Sequence, residues 1–560
     1  MPARSSGFTP AFQRLFPWFP VALAGGYLIW LVSNLSGIVK AIQLNPDATW
    51  APVLVRDLAE GVQGGLVYVG EASHFSTIWF LMATRGLVFR DLVWDAGPFV
   101  LFLAGLLVTA WAAWMGAGWW VAVLGFCVGA SAGARVLLTI LAEGLHGHTF
   151  VTNAVLAAFL VLYYTRAKPH WVVLAPAAAV VVAMAGATLA SDPLFIPSGL
   201  IPFAAAPVAV WIADPTRRNR TLAATALALT ALTVAVGFAL GRWMVSQGYR
   251  KTYATEGYTF ATPVQAVRNL GTFVVHAVSQ GNGFYPGQEF RPALDVAAGM
   301  VMTVFLAAAV VFPAVRLLKA LKSRPLRRRL EQPVSIYVTF WVLSALGMAG
   351  AFALSTFATG PSDNSRYVLP AFFALAAAAV LPARRPGWGR VAVAAGVGLF
   401  CLLSIANRND LFGYREESVF RAPIDHGAEI VEFLESERAT VGYAGYFNSH
   451  PLTYASGMRA GFYPVIRCRY PESNRLCPFS VNTRTAWSEA RPDVRSFVLA
   501  DDLAPEIIAA GPLPEFGEPV VTRRFGSVSV YVYDYDIASR LAPPCPLGSP
   551  EFTCPGDTPD

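Results

Sequence analysis

Long apolar runs, sparing in charge and of membrane-crossing length, recur along this chain, and no other feature constrains its folding as much. A helix needs roughly 17–25 apolar residues to cross the hydrocarbon core of a bilayer. Runs of this kind, some at the short end of the range, lie at 16–37, 97–115, 119–141, 150–165, 171–190, 199–213, 221–243, 294–317, 333–357, 367–382 and 389–406. Backbone amides in lipid find no water, so each run must satisfy its own hydrogen bonds as a helix. A polytopic α-helical membrane protein of about eleven transmembrane helices is expected, rich in the Ala, Gly and Val that allow close helix packing in lipid. Composition agrees: of 560 residues 55% are hydrophobic and only 14% charged, against about 25% charged in soluble domains. The first run, Phe16 to Gly37, has no small-residue cleavage pattern after it and reads as a retained helix.

Charge orients the spans. The net charge of +7 is not gathered on one soluble face, as a nucleic-acid partner would require, but falls in short runs between spans. Arg4 and Arg14 precede the first span, Arg166 and Lys168 follow the fourth, and Arg217, Arg218 and Arg220 follow the sixth. "LKALKSRPLRRRL" follows the eighth, and "ARRPGWGR" separates the last two. If eleven helices alternate, all of these lie on one face, which the positive-inside rule makes the cytoplasm. The N-terminus is then cytoplasmic, residues 1–406 form a transmembrane part of a plasma-membrane protein, and residues 407–560 form an extracytoplasmic soluble domain. Cysteine usage points the same way. Cys127 and Cys401 lie inside spans, whereas Cys468, Cys477, Cys545 and Cys554 form two close pairs in the C-terminal region. Outside the cell these are expected as disulfides Cys468–Cys477 and Cys545–Cys554, each closing a short local loop. Their spacing is too wide for a zinc tetrad.

The C-terminal region has the texture of a small α/β or α+β domain. "GAEIVEFLESE" reads as a helix, and "RATVGYAGY", "RSFVLAD" and "PVVTRRFGSVSVYVYDYD" read as strands, the last a hairpin turning at Gly526. Two long loops share its face, 38–96 and 245–292, and long ordered loops tend to carry function. In the first, "ATWAPVLVRDLAEGV" and "HFSTIWFLMATRGLVF" have helical apolar spacing. They are expected as helices in the membrane interface, separated at Gly64-Gly65, with Trp50 and Trp79 at headgroup depth.

The stretch "NPDATWAPVLVRDL" (Asn45–Leu58) sets Asp47, Arg56 and Asp57 close behind the first span. Asp47 would cap a helix beginning at Ala48, and Asp57 would pair with Arg56 or face water. A catalytic reading stands beside that structural one. A carboxylate just after the first span, two interfacial helices behind it and about a dozen spans resemble the GT-C superfamily of membrane glycosyltransferases. The layout, with "SDPLFIPSGLIP" (Ser191–Pro202) and "NSRYVLPA" (Asn364–Ala371), is also similar to a group of actinobacterial membrane proteins. The GT-C resemblance implies a polyprenyl-phosphate sugar as donor, transfer on the outer face, an Asp in the first outer loop as base, and an outer-face soluble domain at the C-terminus. The catalytic position it implies here is Asp47, with Asp57 next along the chain. The chain departs from many members in having no adjacent acidic pair after the first span.

The chemistry is compatible with these residue types. Glycosyl transfer to a hydroxyl needs a carboxylate to take the acceptor proton and cationic groups for the departing phosphate; inversion needs one essential base. Candidates for substrate contact near the outer surface are Arg85, His74, His146, His148 and Arg366, together with Arg135, a charge inside the third span, and Asp192, which opens the loop after the fifth and would either cap the helix or face the substrate. His146 and His148 with Glu143 supply too few ligands for a metal unless Asp47 or Glu71 joins them, so no metal site is assigned. No cofactor is required by the sequence, a divalent cation being the one candidate. The expected partners are the lipid donor, a cell-envelope glycan or lipid acceptor and the bilayer itself. Two other readings compete: a transporter or lipid flippase, which would show internal repeats and broken helices, and a non-catalytic scaffold for envelope assembly.

Overall fold

A lipid-facing chain has few ways to fold, and the computed structural model of this protein takes the helical one. It describes residues 10–59, 66–69, 77–141, 147–165, 171–251, 260–280, isolated positions between 297 and 307, 332–355, 365–412, 425–467, 475–479, 481–503 and 513–542. Among the described residues eight helices are long and apolar enough to cross a membrane, and the protein is a multi-pass membrane protein. A short helix α1 (Pro10–Leu15) leads into α2 (Phe19–Ile42). Then come α3 (Pro46–Ala59), β1 (Val67–Val69), α4 (Trp79–Thr84) and α5 (Arg90–Ala117). The chain continues through α6 (Trp119–Ala130), α7 (Ala134–Leu141), α8 (Gly147–Thr165), α9 (Trp171–Ser191), α10 (Ile201–Ala213) and α11 (Arg217–Ser246). Next follow β2 (Tyr249–Lys251), α12 (Pro263–Gln280), α13 (Gln332–Leu354), α14 (Leu369–Ala379) and α15 (Trp388–Ala406).

Eight of the expected runs reappear as crossing helices, and those at 119–141 and 367–382 contain shorter apolar helices. The run at 294–317 lies largely outside the described residues. The run at 119–141 is not one helix: it breaks at Ser131–Gly133 between α6 and α7. The small residues of "GASAG" (Gly129–Gly133) favour a break, and the carbonyls it frees are taken up by neighbours. Ser404 Oγ donates to the Ser131 carbonyl and the Tyr27 hydroxyl to that of Ala132, which meets the requirement that buried backbone groups be paired. Arg135 therefore stands in the first turn of α7 and not deep in a continuous span, a correction to the sequence expectation. Its side chain lies outside the described residues.

Small residues set the closest helix approach. A Cβ on Gly186 of α9 would lie 2.6 Å from Val236 of α11, and one on Gly237 would lie 3.1 Å from Leu189 Cγ. These two helices, parallel because α10 reverses the chain between them, touch at their backbones, as small-residue interfaces in lipid do. Elsewhere aromatic rings fill the core, with Phe150 stacked on Phe373 at 3.9 Å and Phe102 beside both.

The C-terminal region holds α16 (Gly427–Ser436), β3 (Val441–Gly445), α17 (Tyr446–Ala455), β4 (Gly461–Arg467) and β5 (Leu476–Pro478). These are followed by β6 (Thr483–Arg484), β7 (Ser496–Asp501), β8 (Val521–Phe525) and β9 (Val528–Tyr533). Six strands form a mixed sheet in the order β5-β4-β3-β7-β9-β8, with β3 parallel to β4 and β7 and the outer pairs antiparallel. β7 and β9 are buried along their whole length, whereas the edge strand β8 exposes Thr522, Arg523 and Arg524, charges that guard an open edge. The expected hairpin turns at Gly526, whose φ of +58° suits glycine.

A second, three-stranded sheet joins the two parts of the molecule. β1 of the first loop pairs in parallel with β2 and antiparallel with β6 of the C-terminal region. The loop at 245–292 also contains α12, whose Asn269 side chain donates to the Ala353 and Ser355 carbonyls and so caps α13.

Candidate functional site

The helix directions gather the candidate residues at one end of the bundle. α2 ends there and passes into α3 through a turn in which Ala48 N–H donates to the Asn45 carbonyl at 3.0 Å. Pro46 opens α3, a position its fixed φ suits. Asp47 follows within the first helical turn, not outside the helix as a cap, and the helix dipole favours negative charge there. The Asp47 side chain lies outside the described residues.

The same end holds the start of α5, and with it two carboxylates that sequence reasoning passed over. Asp95 accepts from Gln43 Nε2 at 2.8 Å, tying α5 to the turn that precedes Asp47. Asp91 accepts from Arg56 Nη2 at 3.0 Å. Arg56 lies over the Tyr454 ring of α17 at 4.9 Å and near Trp94 at 5.7 Å. The spacing of Asp91 and Asp95 on one helical face was the available signal; it sat at the end of a segment read as loop.

Asp57 does not pair with Arg56 or face water. It is 6% exposed, and its Oδ2 accepts from Arg484 Nη1 at 2.6 Å and from Trp487 Nε1 at 3.0 Å, both in the C-terminal region. Trp50, expected at headgroup depth, is likewise buried, in a small core with Leu54, Val67, Leu81 and Trp94. Trp79 is partly exposed, its ring 5.1 Å from that of Trp243.

Further round the bundle, α8 begins and α9 ends. Asp192, fully buried, accepts from Thr149 Oγ1 at 2.6 Å and from the Leu194 amide at 2.9 Å, so it closes the turn after α9. Beneath it the Thr152 and Thr188 hydroxyls meet at 2.8 Å. His148 stands in the first turn of α8 beside this group. Arg85 is exposed at the end of α4. Arg366 lies in the short turn Ser365–Val368 that leads into α14; its side chain is outside the described residues. Glu71, His74, Glu143, His146 and residues 281–290 also lie outside them.

The opposite end is basic. Arg218 Nη2 donates to the Tyr163 and Tyr164 carbonyls at the end of α8, at 3.0 and 2.8 Å, and Arg390 Nε donates to the Ala383 carbonyl. Cationic groups there cap helix C-termini. Among the described residues no group of three or more His, Cys, Asp or Glu could hold a metal ion. Cys477 is disulfide-bonded, Cys127 and Cys401 are free and buried, and Cys468, Cys545 and Cys554 lie outside the described residues.

Comparison with known proteins shows a similarity of fold to a solved membrane protein. The structure of ArnT from Cupriavidus metallidurans in the apo state matches 93% of this chain and 99% of its own, with a TM-score of 0.50 and 13% identity. ArnT from the same organism bound to undecaprenyl phosphate matches 90% of this chain and 98% of its own, with a TM-score of 0.49 and 12% identity. No family model matches the chain, and no curated protein matches it in sequence.

Proposed function

We propose that this protein is an integral-membrane glycosyltransferase. It moves a sugar from a polyprenyl-phosphate donor to a cell-envelope glycan or lipid acceptor on the outer face of the plasma membrane, with inversion at the transferred carbon. The supporting observation is the GT-C-like fold along 93% of the chain, with a carboxylate in the first turn of the helix that follows the first span. In this reading Asp47 takes the proton of the acceptor hydroxyl as its oxygen attacks the anomeric carbon, and the lipid phosphate leaves. In this reading cationic groups, Arg366, Arg135, His148, His146 and Arg85, receive that phosphate, and Asp192 holds the turn after α9 beside the start of α8. The C-terminal region lies outside the cell, the N-terminus is cytoplasmic, and the cysteines pair Cys468–Cys477 and Cys545–Cys554.

Membranes carrying the wild type or Asp47→Asn, given labelled polyprenyl-phosphate sugars and an envelope glycan extract, test this reading. Loss of a general base lowers transfer by about 10²–10⁴-fold. Equal transfer by both variants would remove Asp47 from the role. The break between α6 and α7 is a feature shared with transporters. Movement of the lipid-linked sugar across the membrane with no new glycosidic bond would favour that second reading.

A further inference from the structure

Asp57, Arg484 and Trp487 are buried together where the first loop meets the C-terminal region, with relative exposures of 6%, 2% and 2%. A carboxylate taken out of water is retained only if charge and hydrogen bonds compensate it. Here both donors come from the other part of the chain, Arg484 at 2.6 Å and Trp487 at 3.0 Å. The exposed pair Arg524–Asp502 has the same 2.6 Å separation but lies in water, where such a pair contributes little.

The contact is built on both sides. On the membrane side β1 pairs with β6, and the Leu66 backbone exchanges hydrogen bonds with Thr485, the amide of Leu66 donating to Thr485 Oγ1 and that of Thr485 to the Leu66 carbonyl. On the other side the Trp487 ring stacks on Tyr463 at 5.3 Å, and the Tyr443 hydroxyl donates to the Trp487 carbonyl. His450 Nε2 donates to the carbonyl of Asn482 at 2.9 Å, fixing the left-handed residue (φ +51°) from which β6 starts. The acceptor, Asp57, lies near the C-terminal end of α3, and Asp47 lies in its first turn. The two ends lie about 15 Å apart along the helix; Pro52 interrupts the hydrogen bonding between them, and the burial of Trp50, Ala51, Leu54 and Val55 in one core is what carries a constraint from one end to the other.

We infer that Asp57, Arg484 and Trp487 form a latch through which the C-terminal region fixes α3 and thereby positions Asp47. Asp57 is a positioning residue, and the C-terminal region is part of the catalytic framework before it is an acceptor-binding module. The catalytic half of this inference rests on the role proposed for Asp47; the structural half does not.

The test uses the full-length protein in lipid nanodiscs. Hydrogen exchange across residues 46–59 is followed in the wild type, Asp57→Asn, Arg484→Gln, the double variant and Trp487→Phe, alongside kcat and donor KM. The latch requires exchange across α3, first turn included, to rise about tenfold in each single variant, with the double variant no worse than either single. It requires kcat to fall about tenfold with donor KM within about twofold of wild type. Trp487→Phe, which loses one donor but keeps a buried ring, reads the same quantity if Asp57→Asn does not fold. A fall in kcat in Asp57→Asn with α3 exchange unchanged would make Asp57 a proton-transfer group and overturn the latch. Faster exchange with kcat intact would overturn the positioning role. Normal transfer by Asp47→Asn, with α3 exchange still governed by Asp57 and Arg484, would remove Asp47 as the base and leave the latch standing.

Discussion

His450 shows how one buried side chain sets a pH dependence. It is 1% exposed, and its Nδ1 has no hydrogen-bond partner among the described residues. Burial lowers its pKa from the ordinary 6.5 to about 3. The unfolded chain takes up a proton below about pH 6.5 and the folded one does not until about pH 3. The unfolded state therefore binds more protons in this window, and stability falls as pH drops through it. The slope approaches about 1.4 kcal/mol per pH unit for one such group. Thermal unfolding of the purified protein between pH 7.5 and 4.5 is expected to show this decline, and His450→Gln to flatten it; parallel curves for the two proteins would place the pH dependence elsewhere. Asp57 carries a larger stake. Removing Arg484 leaves a buried carboxylate short of its cation, a change that typically costs about 3–5 kcal/mol. Arg484→Ala should thus lower the unfolding temperature far more than Arg524→Ala, whose partner Asp502 remains in reach of water.

Elements in lipid are decided by where backbones may approach. α9 and α11 meet at Gly186 and Gly237, and any Cβ at Gly186 would lie 2.6 Å from Val236. Gly186→Leu is expected to destabilise by about 1–3 kcal/mol through overpacking, whereas Gly25→Ala, with nothing within 4 Å of the new carbon, should leave the unfolding temperature unchanged. Equal effects would mean that these helices have room to separate. The break between α6 and α7 belongs to the same scale. Its small residues were visible in the sequence, but the groups that satisfy its freed carbonyls, Ser404 and Tyr27, come from α15 and α2. A continuous apolar run was read as a continuous span because hydropathy cannot see a carbonyl with a distant partner.

At the scale of the molecule, the helical bundle and the C-terminal sheet are stitched by β1, β2 and β6. Deleting residues 425–560 would strip Asp57 of both donors and β1 of its partner β6. The truncated protein is expected to lose transfer activity and to show rapid proteolysis across residues 46–69. Retained activity in such a fragment would show that the bundle alone holds the site.

The spans, the basic end, the C-terminal helix and the hairpin at Gly526 were legible because each is enforced locally. Lipid obliges an apolar run to bond within itself, and a turn with positive φ selects glycine. The position of Asp47 after the first span was legible for the same reason, being a matter of order along the chain. The partners of Asp57, the burial of Trp50, and the gathering of Asp91 and Asp95 with Arg56 and Gln43 were not. Asp57 and Arg484 stand 427 residues apart, and pairwise electrostatics acts through space, where no periodicity or spacing in the sequence records it. The amino-acid order by itself determined that this protein crosses a membrane many times and carries a carboxylate behind its first span. Only the tertiary structure decided which charges are compensated inside the protein, because a charge is buried or solvated according to what the rest of the chain brings next to it.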